Sequence, residues 1–153
     1  MDATVLLVMD VQRGIVERFA EDPGYLQRLA GAITAARGAG VPVVYVIIGF
    51  RPGHPEISAR NRTFSALAAA GGFVEGDPAA EIHPAVAPGP GDLVVTKRRV
   101  SAFTGSDLEV VLRAQGIDHL VLTGIATSGV VLSTLRQAGV STVAQWAEHL
   151  ASR

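Results

Sequence analysis

Four short runs of apolar residues constrain the fold of this chain more than any other feature of its 153 residues. The runs are continuous rather than alternating, which is typical of strands that other elements cover on both faces. They occupy residues 5–9, 43–48, 93–95 and 120–122. Strands of this kind form parallel sheets enclosed by helices, so the pattern indicates an α/β architecture.

Helical patterns lie between these strands. Apolar residues recur at helical spacing over residues 25–36, and glycines follow them as a stop signal. Residues 106–109 predict a capping box that opens a second helix, and Thr127 or Ser128 is expected to cap a third. The alternation of strands and helices predicts a three-layer α/β/α sandwich around a mostly parallel sheet, of the Rossmann-like, doubly wound type.

Two regions depart from this regular alternation within what we expect to be a single domain over residues 1–153. Residues 49–90 form a long loop insertion with one short helix predicted over residues 65–70, and loops this long usually serve a function. Residues 139–153 form an atypically short C-terminal segment, for which we predict a strand over residues 140–143 and a helix over residues 144–152.

Composition and charge exclude several classes of function. A net charge of −1 and a pI of about 6.4 lack the basic excess of nucleic-acid-binding proteins. No apolar run approaches the roughly 18–20 residues that span a bilayer, and no signal peptide is recognised, so we predict a cytoplasmic protein without nucleic-acid or membrane partners. The sequence contains no cysteine, which excludes disulfides, thiolate metal sites and a cysteine nucleophile.

Polar residues follow three of the predicted strands at the point where each strand ends. Asp10 follows the first strand, Lys97 follows the third, and the turn at residues 124–129 follows the fourth. Ligands of open parallel sheets bind outside the carboxyl ends of the strands, so an acid, a cation and a row of backbone N–H donors are expected at one edge. Each feature also has a simpler interpretation when it is taken alone. Asp10 could cap a helix or turn, and Lys97 could belong to a solvated basic patch. The turn could be an ordinary connection from strand to helix.

Three segments resemble the motif blocks of the isochorismatase-like hydrolase family, which includes nicotinamidases, other amidohydrolases and isochorismatases. The segments are VMDVQ at residues 8–12, VVTKRRVSAF at residues 94–103 and LTGIATSGV at residues 122–130. The resemblance covers residues 3–138 and implies an α/β/α fold in which Asp10 transfers a proton and Lys97 supports it. It also implies a cis peptide bond at Ile125–Ala126 that directs backbone N–H groups toward an oxyanion.

The position of the family's cysteine nucleophile aligns with Val130, which cannot attack a carbonyl group. Cysteine amidase chemistry is therefore excluded for this chain. The resemblance leaves two interpretations. Isochorismatases lack the cysteine and cleave a vinyl ether, with the aspartate as general acid, so a hydrolase that uses Asp10 without a nucleophile is one. The alternative is a catalytically inactive pseudoenzyme that serves as a binding or assembly module.

The resemblance also suggests residues that contact a small-molecule substrate or its oxyanion. These candidates are Gln12, Arg51, Phe103, Ile125 and Ala126. No cofactor is expected. No metal site is expected either, because some nicotinamidase relatives bind a divalent ion through an aspartate and paired histidines, whereas His54 is single and no aspartate precedes it.

Family members usually continue beyond the third helix with a further strand and helix. By this comparison the chain is expected to be shortened at its C-terminal side, which would leave the fourth strand at a sheet edge. Exposed sheet edges are templates for association. We therefore predict a homo-oligomer, most simply a dimer, with residues 139–153 in the interface.

Overall fold

The computed structural model describes residues 3–138 of the chain. The strands are β1 (Thr4–Met9), β2 (Val43–Ile48), β3 (Leu93–Lys97) and β4 (His119–Gly124). The helices are α1 (Arg13–Phe19), α2 (Tyr25–Gly38), α3 (Ser65–Ala69), α4 (Leu108–Ala114) and α5 (Leu132–Ala138). Short 3-10 turns occupy Pro78–Ala80 and Pro84–Val86, and a π-helical turn at Thr127–Val131 leads directly into α5. The strand and helix expected over residues 140–152 lie outside the described residues.

The four strands form one parallel sheet with the order β3-β2-β1-β4. Met9 at the end of β1 pairs with Val46 on one side and with Gly124 on the other, and Ile48 pairs with Lys97. The carboxyl ends of all four strands therefore meet at one edge of the sheet. The predicted parallel α/β architecture is confirmed.

Helices cover both faces of this sheet, because successive side chains of β1 point to opposite sides. Val5, Leu7 and Met9 join a buried cluster with residues of α4 and of the turn before α5. Leu6 and Val8 join a second cluster with residues of α1 and α2. Continuous apolar strands are explained by these two cores, since each fully buried aliphatic side chain contributes about 1.5–3 kcal/mol.

The helix boundaries were predicted less well than the strands. The helices α2 and α3 lie where the sequence indicated them. The helix α1 was not predicted, because it is short and buries only Val16 fully. Its Gly14 lies against the 3-10 turn at Pro78–Ala80, where a Cβ atom on Gly14 would stand 3.1 Å from the Cβ of Ala79. Close packing against the Pro78–Ala80 turn therefore holds α1 in place, although this helix lacks an extended apolar face.

Both predicted N-caps are wrong. The helix α4 begins at Leu108 after an N-cap at Asp107. Ser106 instead donates its hydroxyl to the carbonyl of Ala102 and accepts the N–H of Leu108, so it fixes the preceding loop. At α5 the π-helical turn starts after Ala126, and neither the Thr127 hydroxyl nor the Ser128 hydroxyl caps it.

Residues 49–90 fold against the carboxyl edge of the sheet. Ile48, Phe50 and Phe64 form a third buried cluster, against which Phe73 and Val100 pack. Isolated bridges join Gln12 to Ile82 and Phe50 to Val74. The insertion thus surrounds the region where the polar residues emerge.

The strand β4 is an outer strand of the sheet that residues 3–138 form, as expected. Val121 in this strand is 51% exposed. The predicted dimer stays a prediction. In the described part of the chain no helix is long and apolar enough to cross a membrane.

Gln12 joins three parts of the fold through its fully buried side-chain amide. Its Nε2 donates to the carbonyl of Ile48 at 2.8 Å and to that of Ala80 at 2.7 Å, and its Oε1 accepts the N–H of Ile48 at 2.9 Å. The end of β1 is thereby tied to the end of β2 and to the loop insertion.

We predict that Gln12→Leu lowers the free energy of unfolding by about 2–4 kcal/mol, because it leaves buried backbone groups unpaired. Urea unfolding of the purified protein measures this loss. Gln27→Leu, on the exposed side of α2, is the matched control and should change stability little. Equal unfolding midpoints for the two variants would contradict the prediction.

Candidate active site

Asp10 is the first residue after β1, and its backbone turns sharply there. Its N–H still donates to the carbonyl of Val46 at 2.9 Å, which completes the strand pairing. Its φ of 59° lies in the left-handed region, which aspartate and asparagine tolerate better than most residues. The residue is only 7% exposed at the carboxyl edge of the sheet.

Lys97 ends β3 and reaches Asp10 across the sheet. Its Nζ donates to Oδ2 of Asp10 at 2.9 Å and to the carbonyl oxygen of Val100 at 2.6 Å. The residue is 1% exposed, so its ammonium group depends on these partners in place of water. The structure therefore joins the acid and the cation that the sequence placed on separate strands.

Burial dominates the electrostatics of this pair. It raises the pKa of Asp10 to about 6, and the charge and hydrogen bond of Lys97 only partly oppose that increase. Burial likewise lowers the pKa of Lys97, against the attraction of the Asp10 carboxylate. Oδ1 of Asp10 is buried and has no hydrogen-bond partner among residues 3–138. That oxygen is the atom of the pair that is free to hold a proton.

The turn after β4 lies against the end of β1. At Gly124 a Cβ atom would stand 2.5 Å from the carbonyl oxygen of Met9, so only glycine permits this approach. The Ile125–Ala126 peptide bond is cis, which agrees with the expectation from the motif.

Ile125 does not fit the role of an oxyanion donor. Its N–H donates to the carbonyl of Met9 at 3.3 Å and is therefore engaged within the fold. Ala126 is exposed, and its N–H has no partner in the part of the chain that the structure describes. Of the two residues, only Ala126 retains a donor for a ligand.

Val130 occupies the position of the nucleophile and is only 2% exposed. It belongs to the apolar cluster that includes Met9, which precedes Asp10, and Val95, which lies two residues before Lys97. Its side chain extends the hydrophobic core to the edge of the site and offers no reactive atom.

Two further candidates form hydrogen bonds within the fold. Both N–H groups of the Gln12 amide are used by backbone carbonyls, so no donor remains for a ligand. Arg51 lies in the loop insertion, where its Nη1 donates to Oε1 of Glu56 at 2.7 Å. The amide of Gln12 therefore serves the fold, whereas substrate contact by the exposed Arg51 stays a prediction.

Phe103 lines a cleft that contains neither Asp10 nor Lys97. It packs on the apolar cluster and lines a cleft with Leu112, Ile117 and Leu120, near the amino end of β4. The structure therefore brings together Asp10, Lys97, Val130 and the turn at Ala126, and it does not bring Phe103 to them.

Three supporting groups were missed from the sequence. The carbonyl of Val100 holds Lys97, and Oγ1 of Thr134 accepts the N–H of Ala102 at 2.9 Å in a fully buried contact. Glu56 carries a buried carboxylate oxygen without a partner among the described residues. Only Thr134 gave a signal, since a polar residue four positions after Val130 lies on the same helical face.

His54 is a buried turn residue rather than a free ligand. Its φ is 51°, its Nε2 lies 2.7 Å from the carbonyl oxygen of Gly72, and its ring packs on Phe50. Among residues 3–138 no group of three or more histidine, aspartate and glutamate side chains is arranged to hold a metal ion.

The fold agrees with comparisons to known proteins. The family profile described as "Isochorismatase domain" matches residues 4–141. The chain belongs to the isochorismatase family, whose members are hydrolases of the α/β class.

Among its relatives, proteins named ureidoacrylate amidohydrolase RutB are 38% identical in Variovorax paradoxus and 36% identical in Methylorubrum extorquens strain AM1. Both alignments cover 88% of this chain, but only 62% and 63% of the respective relative. The chain thus spans less than two thirds of their length.

Two solved structures are similar to the present one. A cysteine hydrolase from Pseudomonas syringae pv. phaseolicola 1448A superposes with a TM-score of 0.81 at 26% identity, covering 89% of this chain and 65% of that one. N-carbamoylsarcosine amidase from Thermoplasma acidophilum superposes with a TM-score of 0.71 at 30% identity, covering 90% and 76%.

The raised pKa of Asp10 predicts a pH dependence of stability. An acid whose pKa rises from 3.8 to about 6 on folding binds more protons in the folded state. The free energy of unfolding should therefore fall as the pH rises from about 4 to about 6, by an amount on the order of 3 kcal/mol. Urea unfolding of wild type and Asp10→Asn across this range measures the difference.

Asp77→Asn serves as the control, because Asp77 is an exposed aspartate outside the site. It should follow the wild-type pH profile. If Asp10→Asn and wild type keep a constant difference across this range, the carboxyl of Asp10 does not titrate there.

Proposed function

We propose that this protein is a small-molecule hydrolase that works without a cysteine nucleophile, with Asp10 as the proton-transfer residue and Lys97 as its partner. The observation that carries the proposal is the buried Asp10 carboxyl group. One of its oxygens is fixed by Lys97, and the other has no partner among the described residues.

The pKa of Asp10 suits a general acid. A carboxyl group with a pKa of about 6 remains protonated in about a tenth of the molecules at pH 7, whereas an ordinary aspartate is almost entirely ionised. Burial raises the pKa of Asp10 into this range, and Lys97 stabilises the carboxylate that remains after the proton has left. The pair can therefore release a proton and recover it.

Hydrolysis of a vinyl ether is the reaction that these groups support best. The proton of Asp10 moves to the terminal alkene carbon, and the alkene electron pair forms the new C–H bond. Water adds to the resulting oxocarbenium carbon and returns a proton to the carboxylate. The hemiketal then separates into a ketone and an alcohol, so no covalent bond to the protein is needed.

The amide chemistry named for the relatives is not supported by the same site. The expected nucleophile position holds Val130, so a thiolate cannot attack an amide carbon. Thr127 and Ser128 are exposed hydroxyls in the turn, and no described hydrogen bond joins either of them to a histidine base. A reaction that begins with protonation needs none of these groups.

We predict that the protein hydrolyses isochorismate and that Asp10→Asn lowers kcat by at least about a hundredfold, because the amide cannot donate the proton. The wild-type rate should fall as the pH rises above about 6, since only the protonated carboxyl group is active. Steady-state assays between pH 5 and 8, as a rough range around this pKa, check both statements.

Asp77→Asn is again the matched control and should keep the wild-type rate. Equal rates for wild type and Asp10→Asn would remove Asp10 from the mechanism. Absence of turnover in a folded wild-type protein would favour the second candidate function.

That second candidate is a catalytically inactive relative that binds a small molecule. It is favoured by Val130, whose buried side chain closes the nucleophile position with an apolar surface. The exposed turn at Ala126 retains a backbone donor, so a ligand oxygen can still be held there without any covalent step.

Restoring the nucleophile tests whether the turn remains competent. We predict that Val130→Cys creates measurable amidase activity on small carboxamides such as nicotinamide, because the new thiol lies beside Asp10 and the turn. Val131→Cys, which adds a thiol one position along, should remain inactive. A folded Val130→Cys protein without activity would show that the turn no longer supports an oxyanion.

Further expectations belong to this proposal. The homodimer and the cytoplasmic location stay predictions, as does the single domain over residues 1–153.

A further inference from the structure

Lys97 has a second partner besides Asp10, and that partner belongs to the loop that follows β3. The ammonium group donates to Oδ2 of Asp10 at 2.9 Å and to the carbonyl oxygen of Val100 at 2.6 Å. Lys97 is 1% exposed, so bulk water does not replace an acceptor that moves away. The position of the Val100 carbonyl therefore helps to decide where the ammonium group stands relative to Asp10.

The loop that carries Val100 spans residues 98–104 and begins where β3 has ended. Two backbone hydrogen bonds close this loop on itself. The N–H of Arg98 donates to the carbonyl of Thr104 at 3.1 Å, and the N–H of Thr104 donates to the carbonyl of Ser101 at 3.2 Å. Neither bond ties the loop to another element, so its placement must depend on other contacts.

Ala102, two residues after Val100, anchors the loop through both of its backbone groups. It is fully buried, and its N–H donates to Oγ1 of Thr134 at 2.9 Å. Its carbonyl accepts the hydroxyl of Ser106 at 2.6 Å. Ser106 lies just before α4, whereas Thr134 lies on α5, 32 residues further along the chain than Ala102. The bond to Thr134 thus attaches the loop to a helix that is distant in the sequence.

Thr134 is fully buried, and its oxygen serves this tertiary contact. A threonine within a helix often returns its hydroxyl to the carbonyl four residues earlier, as Thr34 does to Ala30 at 3.0 Å in α2. Among the hydrogen bonds of residues 3–138, Thr134 makes none of this kind. Because α5 continues from the turn that contains Val130, Thr134 joins the loop after β3 to the turn after β4.

We propose that Thr134 is a positioning residue for the Asp10–Lys97 pair. Its hydroxyl oxygen holds the loop that presents the Val100 carbonyl to Lys97. The inference rests on the proposed function for the use that is made of this pair. A valine would occupy nearly the same space but would leave the buried N–H of Ala102 without an acceptor. A purely structural role predicts only a loss of stability, whereas a positioning role predicts a change at Asp10 itself.

The titration of Asp10 reports how Lys97 is held. Burial raises the pKa of Asp10 to about 6, and among the described residues the charge and hydrogen bond of Lys97 oppose this rise. A displaced Val100 carbonyl would hold the ammonium group less firmly against the carboxylate. The carboxylate would then be less stabilised, so the midpoint of the Asp10 titration should move upward.

The test is NMR of the intact chain without substrate, in which the carboxyl carbon resonance of Asp10 is followed over roughly pH 4 to 9. This resonance is identified as the one that is missing from Asp10→Asn. Thr134→Val should raise the midpoint by about half a pH unit or more, because it removes the acceptor for Ala102. Thr134→Ser keeps that oxygen and loses only a buried methyl group, so it should titrate as wild type despite a lower stability.

Thr34→Val is the matched control, since it removes a hydroxyl from the exposed side of α2. It should leave the midpoint of Asp10 unchanged. Urea unfolding shows whether each variant is folded. Ser106→Ala is the second variant, because it releases the carbonyl of Ala102 from a half-buried position. It should raise the midpoint in the same direction as Thr134→Val.

A midpoint in folded Thr134→Val that equals or lies below that of wild type would overturn the proposal. If Thr134→Val does not fold, an unchanged midpoint in Ser106→Ala would overturn it. Equal shifts in Thr134→Val and Thr134→Ser would do so as well, because packing rather than the oxygen would then act on Asp10. The titration needs no turnover. An inactive protein in which Thr134→Val raises the midpoint and Thr134→Ser does not would refute the proposed reaction and leave Thr134 as a positioning residue.

Discussion

The buried ion pair between Lys97 and Asp10 is the interaction on which the rest of this site depends. Both side chains are largely shielded from bulk water, so each relies on the other, and Lys97 also relies on the carbonyl of Val100. Removing one partner of such a pair typically costs about 3–5 kcal/mol, because the remaining charge is left uncompensated. The parallel register brings the two residues together, since the ends of β1 and β3 flank the end of β2. The sheet order is thus a condition for this ion pair as well as for the core.

The sequence predicted a parallel sheet with Asp10 and Lys97 at one edge, and the family resemblance implied that Lys97 supports Asp10. Continuous apolar strands require cover on two faces, and residues that follow parallel strands meet at one edge. The roles of Gln12, Arg51 and Phe103 were not predictable in the same way. Their residue types suit a substrate, but partners distant in the chain, such as Ala80 for Gln12, had already engaged them. Side-chain partners depend on tertiary packing, which local pattern does not encode.

Helix starts were mispredicted for a related reason. Ser106 had the spacing of a cap, yet its hydroxyl is used by the carbonyl of Ala102 in the loop before the helix. The helix α5 begins through a π-helical turn shortly after the chain has passed close to Met9 at Gly124. The same contact gives the turn its place beside Asp10.

Two separate requirements apply to residue 10: its left-handed backbone conformation and its buried charge. Asparagine or glycine would satisfy a φ of 59° at least as well as aspartate does, and neither would carry a charge into a buried position. Folding alone would therefore allow this site to drift toward an uncharged residue, with Lys97 replaced by an aliphatic side chain. The backbone conformation does not require a buried acid at residue 10, and this agrees with the proton transfer proposed for Asp10. Among homologues that also lack the cysteine, the residue at this turn should divide those that retain proton chemistry from those that only bind.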